Sequence, residues 1–237
     1  MEFTICGKKE EAENIKTFFF EKPKGFNFKA GQFIYLTLPK LKFKDNRGNT
    51  RHFTISSSPT EEKIAITTKI RKESGYKMTL DSLKLGDSIK YKGPIGDFCL
   101  SKEDDKTQIF IAGGIGITPF RSMIKYKVDK RFKTPIHLIY SCSTTEEITF
   151  KNELENWSKE KIIKLDITIT RPEESKQKWN GLTGRLNKET IISLVGKDQT
   201  SKAAFWLCGP PSFVSALEEE LAKASINKLR TEKFSGY

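Results

Sequence analysis

Long apolar runs are absent from this chain of 237 residues. No stretch approaches the roughly 20 apolar residues that a helix needs to cross a bilayer. The first residues, Met1 to Gly7, also lack the apolar core of a secretory signal peptide. We therefore expect a soluble, cytoplasmic protein with no membrane span.

Cysteine and histidine are scarce and scattered. The four cysteines are Cys6, Cys99, Cys142 and Cys208, and no two of them have the short spacing of a zinc or iron–sulfur ligand pair. The chain has only two histidines. The sequence therefore predicts no metal site and no second redox centre, and in a reducing compartment we expect the cysteines to be free thiols.

Positive charge is in excess, with a formal net charge of +12 at pH 7. The lysines are spread along the chain and no nucleic-acid-binding motif is present, so we predict no nucleic-acid partner. A lysine-rich proteome or an acidic protein partner remains as the explanation. Most of the excess lies in the first hundred residues, where Lys40, Lys42, Lys44 and Arg47 crowd one stretch.

Up to about residue 100, short strand-like segments alternate with turn signals. These segments are residues 17–20, 32–38, 52–56, 64–70 and 88–91. Such spacing predicts an all-β barrel or sandwich, with one short helix at residues 76–85.

The pattern changes after the polar stretch of residues 101–106. Strands are predicted at residues 109–112, 136–140, 165–170 and 204–207, and helices at residues 119–126, 146–157, 188–195 and 211–224. This alternation predicts a parallel sheet covered on both faces. We therefore divide the chain into domains of residues 1–102 and 103–237, with ligands meeting at their interface.

A glycine-rich turn follows the first strand of the second domain. Ala112 ends an apolar run, and the turn that follows contains Gly113, Gly114, Gly116, Thr118 and Pro119. Glycines let the backbone approach a pyrophosphate, and the N-terminus of the next helix presents unpaired N–H groups to it. The turn predicts a dinucleotide site.

Three further motifs accompany that turn in a fixed order. They are Arg51-His52-Phe53-Thr54, then Cys208-Gly209-Pro210-Pro211, then Glu232-Lys233-Phe234. Together the four motifs resemble those of the ferredoxin–NADP reductase superfamily, and above all its compact members. The resemblance runs from Ala30 to Tyr237. It implies an N-terminal antiparallel Greek-key β-barrel that binds FAD, followed by a Rossmann-like parallel-sheet domain that binds NAD(P).

The resemblance assigns the flavin site to the first domain. Arg51 is expected to pair with the FAD pyrophosphate through its donor fork. Phe53, where the family usually has Tyr, is expected to lie against the flavin, and the Thr54 hydroxyl to bond the flavin N5. Ser74 and Lys77, at a helix start, are expected to hold the pyrophosphate.

The nicotinamide site falls in the second domain. By resemblance, the glycine turn binds the nucleotide and Cys208 lies beside the nicotinamide C4, with Gly209 and Pro210 in contact. Glu232 is expected to relay protons or orient the nicotinamide. Phe234 is expected to cover the flavin face that the nicotinamide must occupy, with Tyr237 as the rival. The predicted catalytic residues are therefore Thr54, Cys208 and Glu232.

The nucleotide preference rests on a few residues. Family members that prefer NADPH often carry Ser and Arg after the second strand of this domain, and here residues 140–145 offer hydroxyls but no Arg. Arg171, after the third strand, could substitute. The sequence thus favours NADH slightly, without excluding NADPH.

The motifs predict an FAD-dependent NAD(P)H oxidoreductase. Hydride passes from the nicotinamide to FAD, and electrons then leave to a separate, small acidic carrier such as ferredoxin or flavodoxin. Three alternatives remain open. They are a reductase component of a multi-subunit oxygenase, a flavin reductase that releases its flavin, and a non-catalytic nucleotide-binding subunit.

Overall fold

Two six-stranded sheets divide the molecule, as the computed structural model describes it for residues 1–100 and 106–234. One sheet belongs to the N-terminal part of the chain and the other to the C-terminal part. The predicted boundary after residue 102 falls outside the described residues and stays a prediction.

The first sheet is antiparallel and closes into a barrel. Its strands are β1 (Glu2–Ala12), β2 (Ile15–Glu21), β3 (Phe33–Thr37), β4 (Thr50–Thr54), β5 (Lys63–Lys69) and β6 (Ser88–Ile95). They are ordered β4-β3-β6-β1-β2-β5. The two end strands meet where Ile55 bridges Ile66. Alternate residues such as Ile34 and Leu36 fill the interior, as the period of two requires.

Helix α1 (Gly75–Ser82) packs against the barrel. Ser74 caps its first turn, and the Tyr76 hydroxyl donates to the Leu36 carbonyl oxygen at 2.9 Å. The helix ends three residues before the predicted end at residue 85, because Leu83 is already extended.

The second sheet is parallel and ordered β10-β9-β8-β7-β11-β12. Its strands are β7 (Gln108–Gly113), β8 (Ile136–Cys142), β9 (Lys164–Ile169), β10 (Leu182–Thr183), β11 (Ala204–Gly209) and β12 (Leu229–Lys233). Ile109 and Ile111 pack on one face and Phe110 and Ala112 on the other. Both faces are therefore covered, and the predicted fold class is confirmed.

Six α-helices occur in the described ranges. After α1 come α2 (Ile117–Lys130), α3 (Lys151–Lys159), α4 (Lys188–Val195), α5 (Lys197–Thr200) and α6 (Pro211–Lys223). In the part of the chain that the structure describes, none of them is both long and apolar enough to cross a membrane.

The structure corrects several predicted elements. The helix predicted at residues 146–157 is confirmed from Lys151 onward as α3 but begins too early: a 3₁₀ turn, Thr145–Glu147, precedes it, and Phe150 between them has a left-handed φ of 60°. Strand β1 was missed because its residues 7–12 are glycine, alanine and charged residues without apolar alternation. Strands β10 and β12 were also missed. Their residue composition is not typical of a strand, and they are strands because they pair with β9 and β11.

We predict that Gln108→Leu destabilises the second domain. Gln108 is fully buried and its Oε1 accepts the Trp206 indole N–H at 2.7 Å. Loss of that acceptor leaves a buried donor unpaired, so the free energy of unfolding should fall by about 1–3 kcal/mol. Urea unfolding measures the change, with the exposed Gln177→Leu as the matched control. Equal urea midpoints for Gln108→Leu and Gln177→Leu would contradict a stabilising role for the hydrogen bond between Trp206 and Gln108.

Candidate active site at the domain junction

The glycine turn and the end of β11 touch each other at the carboxyl edge of the parallel sheet. A Cβ on Gly116 would lie 2.2 Å from the Cys208 carbonyl oxygen and 2.7 Å from the Gly209 nitrogen. Both atoms belong to the backbone and cannot move aside. Only glycine fits at residue 116, and its presence brings the turn directly against Cys208.

Two other glycines make room for an aromatic ring. A Cβ on Gly113 would lie 2.7 Å from the ring of Phe213, and one on Gly209 would lie 2.8 Å from the same ring. Gly114, in contrast, has a positive φ of 51° and open space around its Cβ direction. Gly114 is therefore the position of this turn with room for a ligand beside it.

Thr118 and Pro119 form the start of α2. The Thr118 hydroxyl donates to the Ile115 carbonyl oxygen at 3.0 Å, and both residues are buried. Their side chains shape the turn, while the helix N-terminus points toward the strand ends where dinucleotides bind in such sheets.

Cys208 and Glu232 are neighbours on the last two strands. They are paired in the parallel register of β11 and β12. Burial and then the charge of Glu232 raise the pKa of Cys208 well above its usual value, so the thiol stays neutral. Burial also raises the pKa of Glu232 to about 7. The pair places a protonatable carboxyl beside a neutral thiol.

Buried polar atoms without a partner mark the junction. Among the described residues, Thr54 Oγ1 and Glu232 Oε2 are buried and make no hydrogen bond. Such atoms cost free energy unless a ligand or water satisfies them. Thr54 ends β4 in the barrel, whereas Glu232 belongs to β12 in the other domain. A flavin, whose ring carries both donors and acceptors, fits these two atoms.

Phe53 does not face the side of β4 that carries Thr54. Its side chain is 1% exposed and lies in the barrel core, with its ring 5.9 Å from that of Tyr76. Successive side chains of a strand point to opposite faces. The expected contact between Phe53 and the flavin ring is therefore not built into this arrangement.

Arg51 and Ser74 meet at a carboxylate that the sequence analysis did not single out. Asp45 accepts from Arg51 Nη2 at 2.6 Å, from the Tyr76 amide at 2.9 Å and from the Ser74 hydroxyl at 3.2 Å. Arg51 Nη1 donates to the carbonyl oxygens of three residues of the same loop. These contacts fix residues 45–51 to the start of α1.

Lys77 is a buried cation among other cations. Burial, with the guanidinium groups of Arg71 and Arg47, lowers the pKa of Lys77 to about 7. Arg51 and Lys69 add to the same positive potential. A concentration of positive charge around a buried lysine suits an anionic group such as a pyrophosphate.

Phe234 follows β12 and is 2% exposed. Its amide donates to the Gly209 carbonyl oxygen at 2.9 Å, which joins the chain end to the Cys208-Gly209 segment. The rival residue, Tyr237, lies outside the described residues.

A cavity of about 550 Å³ opens at the same edge of the sheet. Gly113, Gly114 and Pro210 line it, as expected for a nucleotide site. Four cationic side chains also line it: Lys69, Arg71, Arg171 and Arg185. Arg185 was missed in the sequence, since it stands alone between predicted elements and belongs to no motif.

Sequence comparison identifies both halves of the chain. Residues 2–99 match an oxidoreductase FAD-binding domain and residues 110–219 match an oxidoreductase NAD-binding domain. The chain is 30% identical over 217 residues to the glycine betaine monooxygenase reductase subunit of Chromohalobacter salexigens. The match covers 90% of this chain but only 57% of that protein.

Solved structures share the whole fold. The FAD/NAD-binding domain of a nitric oxide dioxygenase from Vibrio cholerae superposes with a TM-score of 0.82 at 19% identity, covering 98% of each chain. A ferredoxin NADP⁺ reductase from Neisseria gonorrhoeae gives a TM-score of 0.77 at 22% identity, also with 98% of each chain covered. This chain belongs to the oxidoreductases that join an FAD-binding domain to an NAD-binding domain, and it has the fold of the ferredoxin NADP⁺ reductase.

Proposed function

We propose that this chain is an FAD-containing NAD(P)H reductase that retains its flavin and delivers electrons to a separate acceptor. Bound FAD supplies the hydride acceptor and the capacity to release electrons one at a time. The observation that supports the proposal is that each domain holds a buried polar atom without a partner among the described residues: Thr54 Oγ1 in the first domain, and Glu232 Oε2, next to Cys208 in the strand register, in the second.

Each of the three residues has a distinct role in this proposal. The Thr54 hydroxyl bonds the flavin at N5. The neutral Cys208 thiol offers a small, weakly polar surface for the nicotinamide, because burial holds its pKa well above the usual value. The Glu232 carboxyl, with a pKa raised to about 7 by burial, holds a proton near neutral pH and can exchange it.

The anionic part of FAD is assigned to the cations around α1. Lys77 is 4% exposed and lies within the positive potential of Arg51 and Arg71. A pyrophosphate there offsets the mutual repulsion of these groups and favours the charged form of Lys77. Ser74, which caps the helix, positions that end of α1.

For the nucleotide we propose NADPH as the better substrate. The sequence favoured NADH because no Arg follows the second strand of the domain. However, the folded chain brings Arg171 and Arg185 to the same cavity as Gly114. Guanidinium groups recognise a phosphate by paired hydrogen bonds, which suits the 2′-phosphate of NADPH.

The electron acceptor is proposed to be an acidic protein in the cytoplasm, either a carrier of the ferredoxin or flavodoxin type or an oxygenase component. The similar protein named a monooxygenase reductase subunit supports the second form. The described residues contain no group of three or more His, Cys, Asp or Glu side chains that could hold a metal ion.

The basic loop, residues 40–47, is the proposed docking element. The side chains of Lys40, Lys42 and Lys44 are exposed. Its backbone is held against α1, because a Cβ on Gly75 would lie 2.2 Å from the Lys44 carbonyl oxygen. A fixed backbone with exposed lysines suits electrostatic steering of an acidic partner.

We predict that the purified protein is yellow and that NAD(P)H bleaches it without oxygen. Stopped-flow absorbance should show faster bleaching with NADPH than with NADH at equal concentrations, because two arginines line the nucleotide cavity. A protein that takes up no FAD, even when FAD is added, would contradict the function. Faster bleaching by NADH would contradict only the assignment of Arg171 and Arg185.

Within the same experiment, Cys208→Ala tests the nicotinamide site. The variant should retain FAD and bleach more slowly, with Cys6→Ala, in strand β1 of the barrel, as the cysteine control. If Cys208→Ala is bleached by NAD(P)H at the wild-type rate, Cys208 has no role in the proposed hydride transfer.

We predict that Glu232→Gln changes the pH dependence of stability. Burial raises the pKa of folded Glu232 from 4.5 to about 7, so the folded state binds the proton more tightly than the unfolded state. The wild-type free energy of unfolding should therefore fall, by up to about 3 kcal/mol, as the pH rises through that interval.

The Gln variant should lack this fall, whereas the exposed Glu160→Gln control should keep it. Urea unfolding at half-unit steps of pH measures the difference. If the free energy of unfolding depends on pH in the same way in wild type and in Glu232→Gln, Glu232 is not a buried acid.

We predict that charge reversal of Lys42 and Lys44 to Glu slows reduction of an acidic carrier. The reversal removes attraction at the basic loop, so carrier reduction at low salt should slow by about tenfold or more and depend less on salt. Bleaching by NAD(P)H, which precedes the carrier step, should stay unchanged. An unaltered low-salt rate of carrier reduction would exclude the loop as the docking element.

A further inference from the structure

Arg121 lies at the junction of the two domains and has no part in the chemistry proposed above. It is the fifth residue of α2, two residues after Pro119 at the end of the glycine turn. Its side chain is 13% exposed. A guanidinium buried to this degree needs partners for its five N–H donors.

Two carboxylates, one from each domain, accept hydrogen bonds from this guanidinium. Nη1 and Nη2 donate to the two oxygens of Glu61 at 2.5 and 3.1 Å. Nε and Nη2 donate to the two oxygens of Glu153, both at 2.8 Å. Glu61 belongs to the loop between β4 and β5 of the barrel, and Glu153 to α3 of the other domain. Paired hydrogen bonds of this kind fix direction as well as distance.

The same side chain also holds the backbone that continues from Thr54. Arg121 Nη1 donates to the Ser56 carbonyl oxygen at 3.1 Å. The next residue, Ser122, donates its hydroxyl to the Ser57 carbonyl oxygen at 2.6 Å. Two consecutive residues of α2 thus bind two consecutive carbonyls just after Thr54, the proposed flavin contact.

These contacts connect the two halves of the proposed reaction by a very short path. Thr54 is two residues from Ser56, and Gly116 is five residues from Arg121. Strand β4, which carries Thr54, and helix α2, which begins at the glycine turn, are therefore joined by a contact that lies only a few residues from Thr54 and from Gly116.

The interface beside this cluster is open. A cleft of about 880 Å³ runs between the domains there, lined by Thr17 and Ala65 of the barrel and by Phe150 and Trp157 of the second domain. Since no packed apolar layer fills the cleft, the alignment of the domains on this side depends on individual polar contacts.

We propose that Arg121 is a positioning residue that sets the separation of the nicotinamide and the flavin by locking α2 to the segment after Thr54. The inference rests on the proposed hydride transfer. Because misplacement by about 1 Å can cost a hundredfold in rate, a modest shift of α2 should slow transfer while leaving nucleotide binding nearly intact.

The test uses the full chain with FAD and four variants. Arg121→Gln removes the clamp, and Arg121→Lys keeps the charge but cannot form two bidentate pairs. Arg121→Gln combined with Glu61→Gln and Glu153→Gln removes the repulsion that the single variant leaves between the carboxylates. Asp129→Ala, which removes the acceptor of the Thr60 hydroxyl near the end of α2, is the matched interdomain control.

In single-turnover bleaching by NADPH, we expect Arg121→Gln to slow transfer at least tenfold while the apparent nucleotide affinity changes less than threefold. The triple variant should stay equally slow, Arg121→Lys should lie between wild type and Arg121→Gln, and Asp129→Ala should match wild type. A wild-type rate for Arg121→Gln, or recovery of the rate in the triple variant, would overturn the proposal.

Hydrogen exchange gives a readout that needs no turnover. In Arg121→Gln without added nucleotide, amides of residues 55–62 and 117–125 should exchange faster, while those of β7 and β8 should not change. Unchanged exchange in both segments would overturn the positioning role by itself. If wild type does not bleach, the proposed function fails, and exchange still decides whether Arg121 aligns the domains.

Discussion

The close approach of the Gly116 backbone to Cys208 and Gly209 is the constraint on which the junction depends. A single methyl group at residue 116 would overlap the Cys208 carbonyl oxygen. Because the two segments touch, the glycine turn, the Cys208 thiol and, through the register of β11 and β12, the Glu232 carboxyl share one edge of the sheet. That edge is where parallel sheets bind ligands.

The barrel contributes Thr54, the last residue of strand β4. Its closure at Ile55 and Ile66 fixes the end of β4, and Thr54 precedes that bridge directly. The hydroxyl of Thr54 is buried without a partner in the described residues, as is one oxygen of Glu232. Each of the two domains therefore carries a buried polar atom that a bound ligand could satisfy.

Cationic side chains form three sets, of which the first two share Arg47. Cations gather around Lys77 and along the nucleotide cavity, where anionic cofactor groups are proposed to bind. The basic loop presents a further set outward. Arg121, in contrast, is enclosed by two carboxylates and joins the domains. Cationic side chains are thus proposed to recognise anionic groups in the first two sets and to align the domains in the third.

The sequence by itself determined the two fold classes, the four motifs and the family, because glycine turns and apolar periodicity are local properties of the chain. It could not place Phe53 in the barrel core, predict the left-handed Phe150 that interrupts the helix expected at 146–157, or assign β1. Nor could it pair Arg121 with Glu61 and Glu153, or bring Arg185 to the nucleotide cavity. Those outcomes depend on contacts between residues distant in the chain, which only the folded arrangement of the two domains decides.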